Sequence, residues 1–325
     1  MTQTGSAGSA QAKLARMFRS KEGGIFLALM AICIALGIAT PKFLTQYNIG
    51  IVARQVSFVA IVALGQTLVL ITGGIDLSVG SIAGLCSILG ALLMVNTSIN
   101  AYVCFLLAGL IGMIFGMING FLIARVGLNP FIVTLGSGEV FAGLILVITR
   151  GYPVLGIPSA FKFIGQGMVG PVPVPVIIMI VLAIVISYVL RNTPFGRHIY
   201  AIGGNEAAAR LVGIRVVAAK IAVYAISGAL AAWAGMIYVS RASAGQPTIG
   251  LNWVMPSVTA AIIGGTSLSG GEGTILGTVI GAILMGVLSN GIVLLNISSY
   301  WERVIIGLVV LVAVVLDVVR RKRQK

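Results

Sequence analysis

The stretch QVSFVAIVALGQTLVLITGGIDLSVGSIAGLCSILGALLMVNTSINAYVCFLLAGLIGMIFGMINGFLIA, residues 55–124, carries one charged side chain, Asp76. A soluble domain needs charge on its surface, so this stretch belongs in hydrocarbon. There, every backbone N–H and C=O must find its partner within the protein, which leaves helices or closed barrels. The apolar runs are about 20 residues long and show no two-residue alternation, so they predict helices. Similar uncharged tracts follow at 163–190, 221–240, 242–271 and 273–301. The expected fold is an all-α, polytopic membrane bundle.

Composition agrees. Hydrophobic residues make up 58% of the chain and charged residues 9%, with a mean hydropathy of +1.11. That leaves room for spans and short loops but for no sizeable soluble domain. The pattern predicts about ten spans, near 23–40, 52–72, 78–95, 101–124, 130–149, 172–190, 220–240, 254–266, 273–296 and 303–319. The shortest and most interrupted is 254–266, flanked by Pro247 and Asn252 and containing Pro256. The apolar run after residue 23 is longer than a signal-peptide core, so it reads as a retained span. With the N- and C-termini in the cytoplasm, 15 of the 21 Lys and Arg residues fall on the inner side, as the positive-inside rule requires. The net charge of +14 therefore reports topology and gives no reason to expect a nucleic-acid partner.

An internal repeat stands out. Residues 71–94, ITGGIDLSVGSIAGLCSILGALLM, align without gaps to 262–285, IIGGTSLSGGEGTILGTVIGAILM, with 11 of 24 positions identical. Both copies hold GGxxLSxG, and both fall on the inner side, which makes the repeat parallel. Paired glycines permit backbone conformations closed to other residues before a helix resumes. Asp76 or Ser78 in the first copy and Ser269 in the second are suitable N-cap residues, and Ser269–Glu272 fits a capping box. The element reads equally as a packed helix break or as a hinge facing a partner. Elsewhere Gly109, Gly112, Gly116 and Gly120, and Gly277, Gly281 and Gly286, read as close helix packing. The segment 151–175, with five prolines, is the longest outer loop and shows no evident structure. Cys33, Cys86 and Cys104 fall in spans and read as buried thiols, and the single histidine, His198, reads as a solvated loop residue. No metal-ligand cluster, catalytic constellation or phosphate-binding GxxxxGK[ST] loop occurs. Work done by this chain must draw its energy from elsewhere.

The longest inner loop, RNTPFGRHIYAIGGNEAAARLVGIRVVAAK (191–220), is the most specific feature. After Gly203 and Gly204, Asn205 suits an N-cap, Glu206 the positive end of a helix, and Gly213 its C-terminal stop. The spacing predicts a short capped helix at the inner surface, able to rest on lipid or enter a groove on another protein.

This loop resembles the EAA…G coupling segment of ABC-importer permeases, with four residues rather than three between Ala208 and Gly213. The segments GGIDLSVGS (73–81), TPFGRHIYAIGGNEAAARLVGI (193–214), GQP (245–247), GGTSLSGGEG (264–273) and SNGIVLL (289–295) resemble the ribose-type, simple-sugar branch. The branched-chain amino acid permeases are a related branch. The resemblance runs from about residue 24 to 319. It implies a cytoplasmic tail (1–22), a permease domain (23–320) with a cytoplasmic coupling loop (191–219), and a basic cytoplasmic tail (321–325). It also implies a multi-pass bacterial inner-membrane protein. The expected partners are an ABC ATPase that holds the ATP and Mg, a second permease copy and an extracytoplasmic sugar-binding protein. No cofactor is expected on this chain, and it is not expected to be an enzyme. Carried onto this sequence, Gly203, Gly204, Asn205, Glu206, Ala207, Ala208 and Gly213 become the ATPase-docking residues.

Four polar residues in or near spans are candidates for the translocation path: Asp76, Asn119, Glu139 and Asn290. A charge in mid-span, as at Glu139, costs roughly 2.5–3.5 kcal/mol on insertion scales and is expected to face the bundle interior or water. Each has a structural alternative, because Asn119 and Asn290 equally suit hydrogen bonds between helices. The importer of a monosaccharide is the first functional reading. A branched-chain amino acid importer and an ion-coupled secondary transporter, which needs intramembrane carboxylates, are the alternatives.

Overall fold

The computed structural model describes residues 21–298 together with 300, 301, 304, 305, 307, 308, 311 and 315. The N-terminal tail up to residue 20, most of the tenth expected span at 303–319 and the C-terminal tail at 321–325 lie outside the described residues. The chain begins with α1 (Lys21–Ala39), α2 (Gln46–Ile71), α3 (Val79–Asn96), α4 (Ala101–Ala124) and α5 (Pro130–Thr149). A short helix α6 (Lys162–Gln166) and a two-strand ribbon, β1 (Met168–Val169) with β2 (Val172–Pro173), precede α7 (Val174–Asn192). Then come α8 (Pro194–Gly204), α9 (Glu206–Leu211), α10 (Val216–Ala242), α11 (Val254–Ile263) and α12 (Ile275–Leu294). Among the described residues seven helices are long and apolar enough to cross a bilayer: α2, α3, α4, α5, α7, α10 and α12.

Local signals set several boundaries. The Asn100 and Asn129 side chains accept the N–H groups of Tyr102 and Phe131, so α4 and α5 begin where the sequence places them. Pro130, at the first position of α5, gives up an N–H that no helix would use. The buried helix α10 runs through the centre of the bundle against α2, α3 and α4. The glycine row of α4 faces it, with Gly112 against Gly228 and Gly116 against the Tyr224 carbonyl. Small residues there let the two backbones approach, the packing role expected for that row. Gly277 and Gly281 of α12 likewise lie against Gly264 and Ala260 at the end of α11.

Two expectations change. The span expected at 254–266 is a helix of only 10 residues, α11, about half the length needed to cross hydrocarbon. The chain before it runs non-helically along α3, with Gly245 beside Ala91, Ile249 beside Gly84 and Gly250 beside Gly80. Irregular backbone is tolerated at membrane depth only where protein surrounds it, and Gly245, Ile249 and Gly250 are buried. The segment 151–175 also has structure. It folds back on the end of α10, where Gly165 N–H donates to Ser240 Oγ at 2.7 Å and Ser240 Oγ donates to the Phe161 carbonyl at 2.6 Å. Gln166 adds bonds to the carbonyls of Ser240 and Arg241. These bonds satisfy backbone groups that a helix end leaves open, which its proline content did not reveal.

Candidate functional site

The helix α9 is built from local chemistry. Asn205 is extended (φ −159°, ψ 103°), and its Oδ1 accepts the Ala208 N–H at 3.0 Å. At the other end Gly213 takes φ +83°, a conformation that L side chains rarely adopt. Its N–H donates to Arg210 O at 3.1 Å, and Ile214 N–H donates to Ala209 O at 3.1 Å. This is a Schellman end, and its apolar contact is present: Ile214 packs with the cluster of Ala209, Ile202, Val216 and Ala219. Glu206 binds Arg210 at 2.6 Å and Lys220 on α10. The hydrogen bond from Lys220, helped by that from Arg210, holds the Glu206 carboxyl below its ordinary range despite partial burial. Both ends and one side of α9 are thereby fixed. Its free side carries Asn205, Ala207, Ala208, Leu211 and Val212, all exposed, with Leu211 at 88% and Val212 at 77%. Sequence reasoning passed over these two apolar side chains, although two hydrophobic residues beside a helix-ending glycine were the available signal.

Preceding α9, α8 was not foreseen, although Thr193-Pro194 announces it. The Thr193 side chain accepts the Gly196 N–H, and Pro194 occupies the first turn. This helix carries Gly203 against the bundle. A Cβ on Gly203 would overlap the Ile71 carbonyl oxygen and the Gly271 nitrogen, whereas Gly204 faces open space. Gly271 N–H donates to Ile71 O at 2.9 Å, and Tyr200 OH donates to Gly273 O at 2.7 Å. Three glycine-containing turns, 71–74, 203–204 and 270–273, therefore meet at one end of the bundle.

The two GGxxLSxG copies do not fold alike. After the first, the helix resumes at Val79. After the second, Gly270 and Gly271 take φ +84° and +78°, the chain leans on Ile71 and Gly203, and α12 begins only at Ile275. The expected cap at Ser269 and its capping box are thus corrected. Thr274 caps α12 by accepting the Gly277 N–H, because the docked turn uses the residues before it. In the first copy Ser78 sits at the N-cap position of α3 without a side-chain cap bond.

The path candidates separate. Asp76 is fully buried; its Oδ1 accepts the Ser78 N–H at 3.0 Å and Ser78 Oγ at 2.6 Å, and Oδ2 accepts Ser227 Oγ at 3.1 Å. Asn119 donates to Ser78 Oγ at 2.9 Å, Gln66 donates to the Asp76 carbonyl, and Tyr224 OH to the Ile75 carbonyl at 3.2 Å. This network ties the first turn to α2, α4 and α10. Asn290 instead exchanges two hydrogen bonds with Asn48, at 2.8 and 2.9 Å, joining α12 to α2. Glu139 lies on the exposed face of α5, so of the two settings expected for it, bundle interior or water, the interior of this chain is not the one it takes. His198 is exposed, and Cys33, Cys86 and Cys104 are free thiols.

A family model described as branched-chain amino acid transport system / permease component matches residues 48–314. The chain belongs to this family. It is 44% identical to a ribose import permease protein of Bacillus subtilis over 296 residues, 90% of this chain and 92% of that relative. It is 41% identical to the ribose import permease protein of Escherichia coli K12 over 295 residues, with 90% and 92% covered. Against the D-allose transport system permease protein of the same organism it is 35% identical over 303 residues, 93% of this chain and 92% of that one. No solved structure matches. Family membership and seven apolar helices make the chain a multi-pass plasma-membrane permease.

Proposed function

We propose that this permease is the transmembrane subunit of an ATP-driven importer and carries a monosaccharide delivered by an extracytoplasmic binding protein. The curated relatives named for ribose and D-allose support the cargo class. Hydrolysis of ATP, with its Mg, belongs to a separate ATPase subunit, and this chain performs no chemistry. The observation that carries the reading is the capped α9, which leaves Leu211 and Val212 uncovered by the rest of the chain beside the glycine junction. Those side chains, with Asn205, Ala207 and Ala208, form the ATPase-docking face, and Glu206 and Gly213 hold it in shape. Gly203 transmits movement of that face to the turns at 71–74 and 270–273, where α2, α3, α11 and α12 begin or end. ATP must bind one arrangement of the pair more tightly for any shift to occur.

In this reading α9 lies in the cytoplasm with both termini, as the basic residues Arg125, Arg191, Arg197, Arg210 and Arg215 favour. The bundle holds about ten spans, counting α11 with its extended lead-in as one and the segment after residue 300 as another. The domain limits are those implied by the sequence: tail 1–22, permease domain 23–320, coupling loop 191–219 and tail 321–325. The two glycine elements are a diverged parallel repeat, and two copies of the chain pair around the path. Co-expression with the neighbouring ATPase and binding protein, followed by purification and uptake of labelled D-ribose, tests this. Solute pumped uphill by the chain alone, or a chain that never associates with an ATPase, overturns it. A branched-chain amino acid is the second reading, because the family description names that cargo.

A further inference from the structure

Asp76 is a fully buried carboxylate that forms no ion pair among the described residues. Four helices close over its turn, through Gln66 of α2, Asn119 of α4, Thr134 of α5 and the pair Tyr224 and Ser227 of α10, all buried. The charged side chains of those helices are placed elsewhere. Lys220 is engaged by Glu206, Arg54 and Arg241 lie toward the far ends of α2 and α10, and Glu139 is on the exposed face of α5. A buried charge without a partner is costly. The N-terminus of α3, just after the turn, offsets about half a unit charge at most.

The hydrogen bonding of this cage is also incomplete. Ser78 Oγ gives its one proton to Asp76 Oδ1, so only a donor can face its lone pairs. Asn119 meets it with Nδ2 at 2.9 Å, which fixes the amide and leaves its oxygen on the other arm. Gln66 is fixed in the same way, because its Nε2 faces the Asp76 carbonyl. Gln66 Oε1 and Asn119 Oδ1 share a carbon with those anchored nitrogens, so both sit beside the turn. Both are buried and have no hydrogen-bond partner among the described residues. Unmet oxygens of this kind are rare and unfavourable. One carboxylate and two amide oxygens, all acceptors, therefore gather at one place with a unit of negative charge.

Chemistry separates the occupants that could complete it. Water donates to both amides and leaves the charge uncompensated. A proton on Asp76 removes the charge but supplies one donor for two waiting oxygens. A divalent ion leaves a net positive charge in the same low-dielectric place. A monovalent metal cation neutralises the carboxylate and takes the amide oxygens as ligands, the donor type that hard cations prefer. We propose that Asp76, Asn119 and Gln66 hold one Na⁺ or K⁺ ion, with Ser227 Oγ as a further oxygen at the site. The ion is resident within one chain and is distinct from the cargo, whatever that cargo is. Gly73 on the same turn is exposed, so the ion has a short way in. The start of that turn is the Ile71–Gly74 segment that packs on Gly203 and Gly270, so the ion stiffens one side of the glycine junction.

The test uses the full chain, purified in detergent and dialysed into choline chloride, then titrated with NaCl or KCl at constant ionic strength after overnight equilibration. One of the two ions should raise the unfolding temperature saturably by roughly 3–8 °C, with no such rise in choline. Equilibrium dialysis with labelled Na⁺, or with Rb⁺ standing for K⁺, should find about one ion per chain, since one carboxylate balances one charge. Asp76→Asn keeps the side-chain size and should lose both the ion and the salt-specific rise. Asn119→Leu should raise the half-saturating ion concentration about tenfold. An undiminished rise in Asp76→Asn overturns the site. Stability that follows pH and ignores the cation makes the occupant a proton, and stability indifferent to both leaves water; either overturns the ion. Ca²⁺ or Mg²⁺ acting more strongly than Na⁺ and K⁺ overturns its valence. Should Asp76→Asn fail to fold, the wild-type titrations and the ion count decide without it. Uptake is not the readout, so failure here leaves the importer reading intact.

Discussion

The backbone N–H of Gly271 donates to the carbonyl oxygen of Ile71 at 2.9 Å, across 200 residues of chain. Ile71 ends α2 and Gly271 lies in the turn between α11 and α12, so one bond joins the two halves that share the GGxxLSxG element. Gly203, at the end of α8, fills the remaining space beside it. The surface helix α9 starts three residues after Gly203. Whatever presses on α9 therefore meets the ends of α2, α8 and the turn before α12 as one packed unit, a contiguous route of the kind that carries coupling between sites.

That contact makes Gly203 and Gly204 differ sharply. Gly203→Ala forces a methyl group onto the Ile71 carbonyl and should cost about 1–3 kcal/mol, with loss of uptake. Gly204→Ala meets open space and should keep the stability of the parent. Thermal unfolding of both variants in detergent, with uptake in cells, checks the pair. Identical behaviour would remove the junction from the coupling route.

Leu211 and Val212 expose apolar surface on a helix whose other side is anchored. Replacing both with serine should leave folding unchanged, because neither contacts the core, and should reduce ATPase co-purification about tenfold or more. A pull-down from co-expressing cells reads this directly. Unreduced capture would place the docking face elsewhere.

Glu206 gives a pH dependence of defined sign. Folding lowers its pKa below the ordinary value of 4.5, so its ion pairs contribute fully above that value and are lost as pH falls through the lower folded one. The side chain is 39% exposed, so solvent screening limits the contribution to under about 1 kcal/mol. The stability of the folded chain should therefore show no pH dependence from this group near neutrality, where its contribution is complete, and should fall in acid. Glu206→Gln should abolish that acid-sensitive part, while Glu206→Lys, facing Arg210 and Lys220, should weaken ATPase association at every pH.

Asn290 and Asn48 satisfy each other inside the bundle. Asn290→Ala leaves Asn48 Oδ1 without its donor, while Asn48 Nδ2 keeps the Phe43 carbonyl at 2.9 Å, and should cost about 1–3 kcal/mol. Replacing both with leucine should recover much of that loss, with the substrate concentration for half-maximal uptake unchanged. A change in that concentration without a change in stability would instead make Asn290 a cargo contact.

Local grammar was legible where a few neighbouring residues settle the outcome. Asn100, Asn129-Pro130 and Asn205 with Gly213 each satisfy or terminate their own helix, so α4, α5 and α9 could be read directly. Thr193-Pro194 belonged to the same class and was passed over. Ser269 shows the limit of such reading. It has the residue type and spacing of a cap, yet contact with Ile71 and Gly203 holds its loop in a turn, and Thr274 caps α12 instead. Glu139 shows another, since its place along α5 was clear and its orientation was not.

By itself the sequence determined that the chain lives in a bilayer as helices, because long uncharged runs admit no other way to satisfy backbone polar groups there. It also determined the capped surface helix, whose bonds close within ten residues. Only the tertiary structure decided that the two glycine turns and Gly203 converge, that Asn290 answers Asn48, and that Gln66, Asn119 and Ser227 meet at the turn of Asp76. Those arrangements depend on how separate helices pack. Packing is set by the summed fit of surfaces far apart in the chain, which no short stretch of residues encodes.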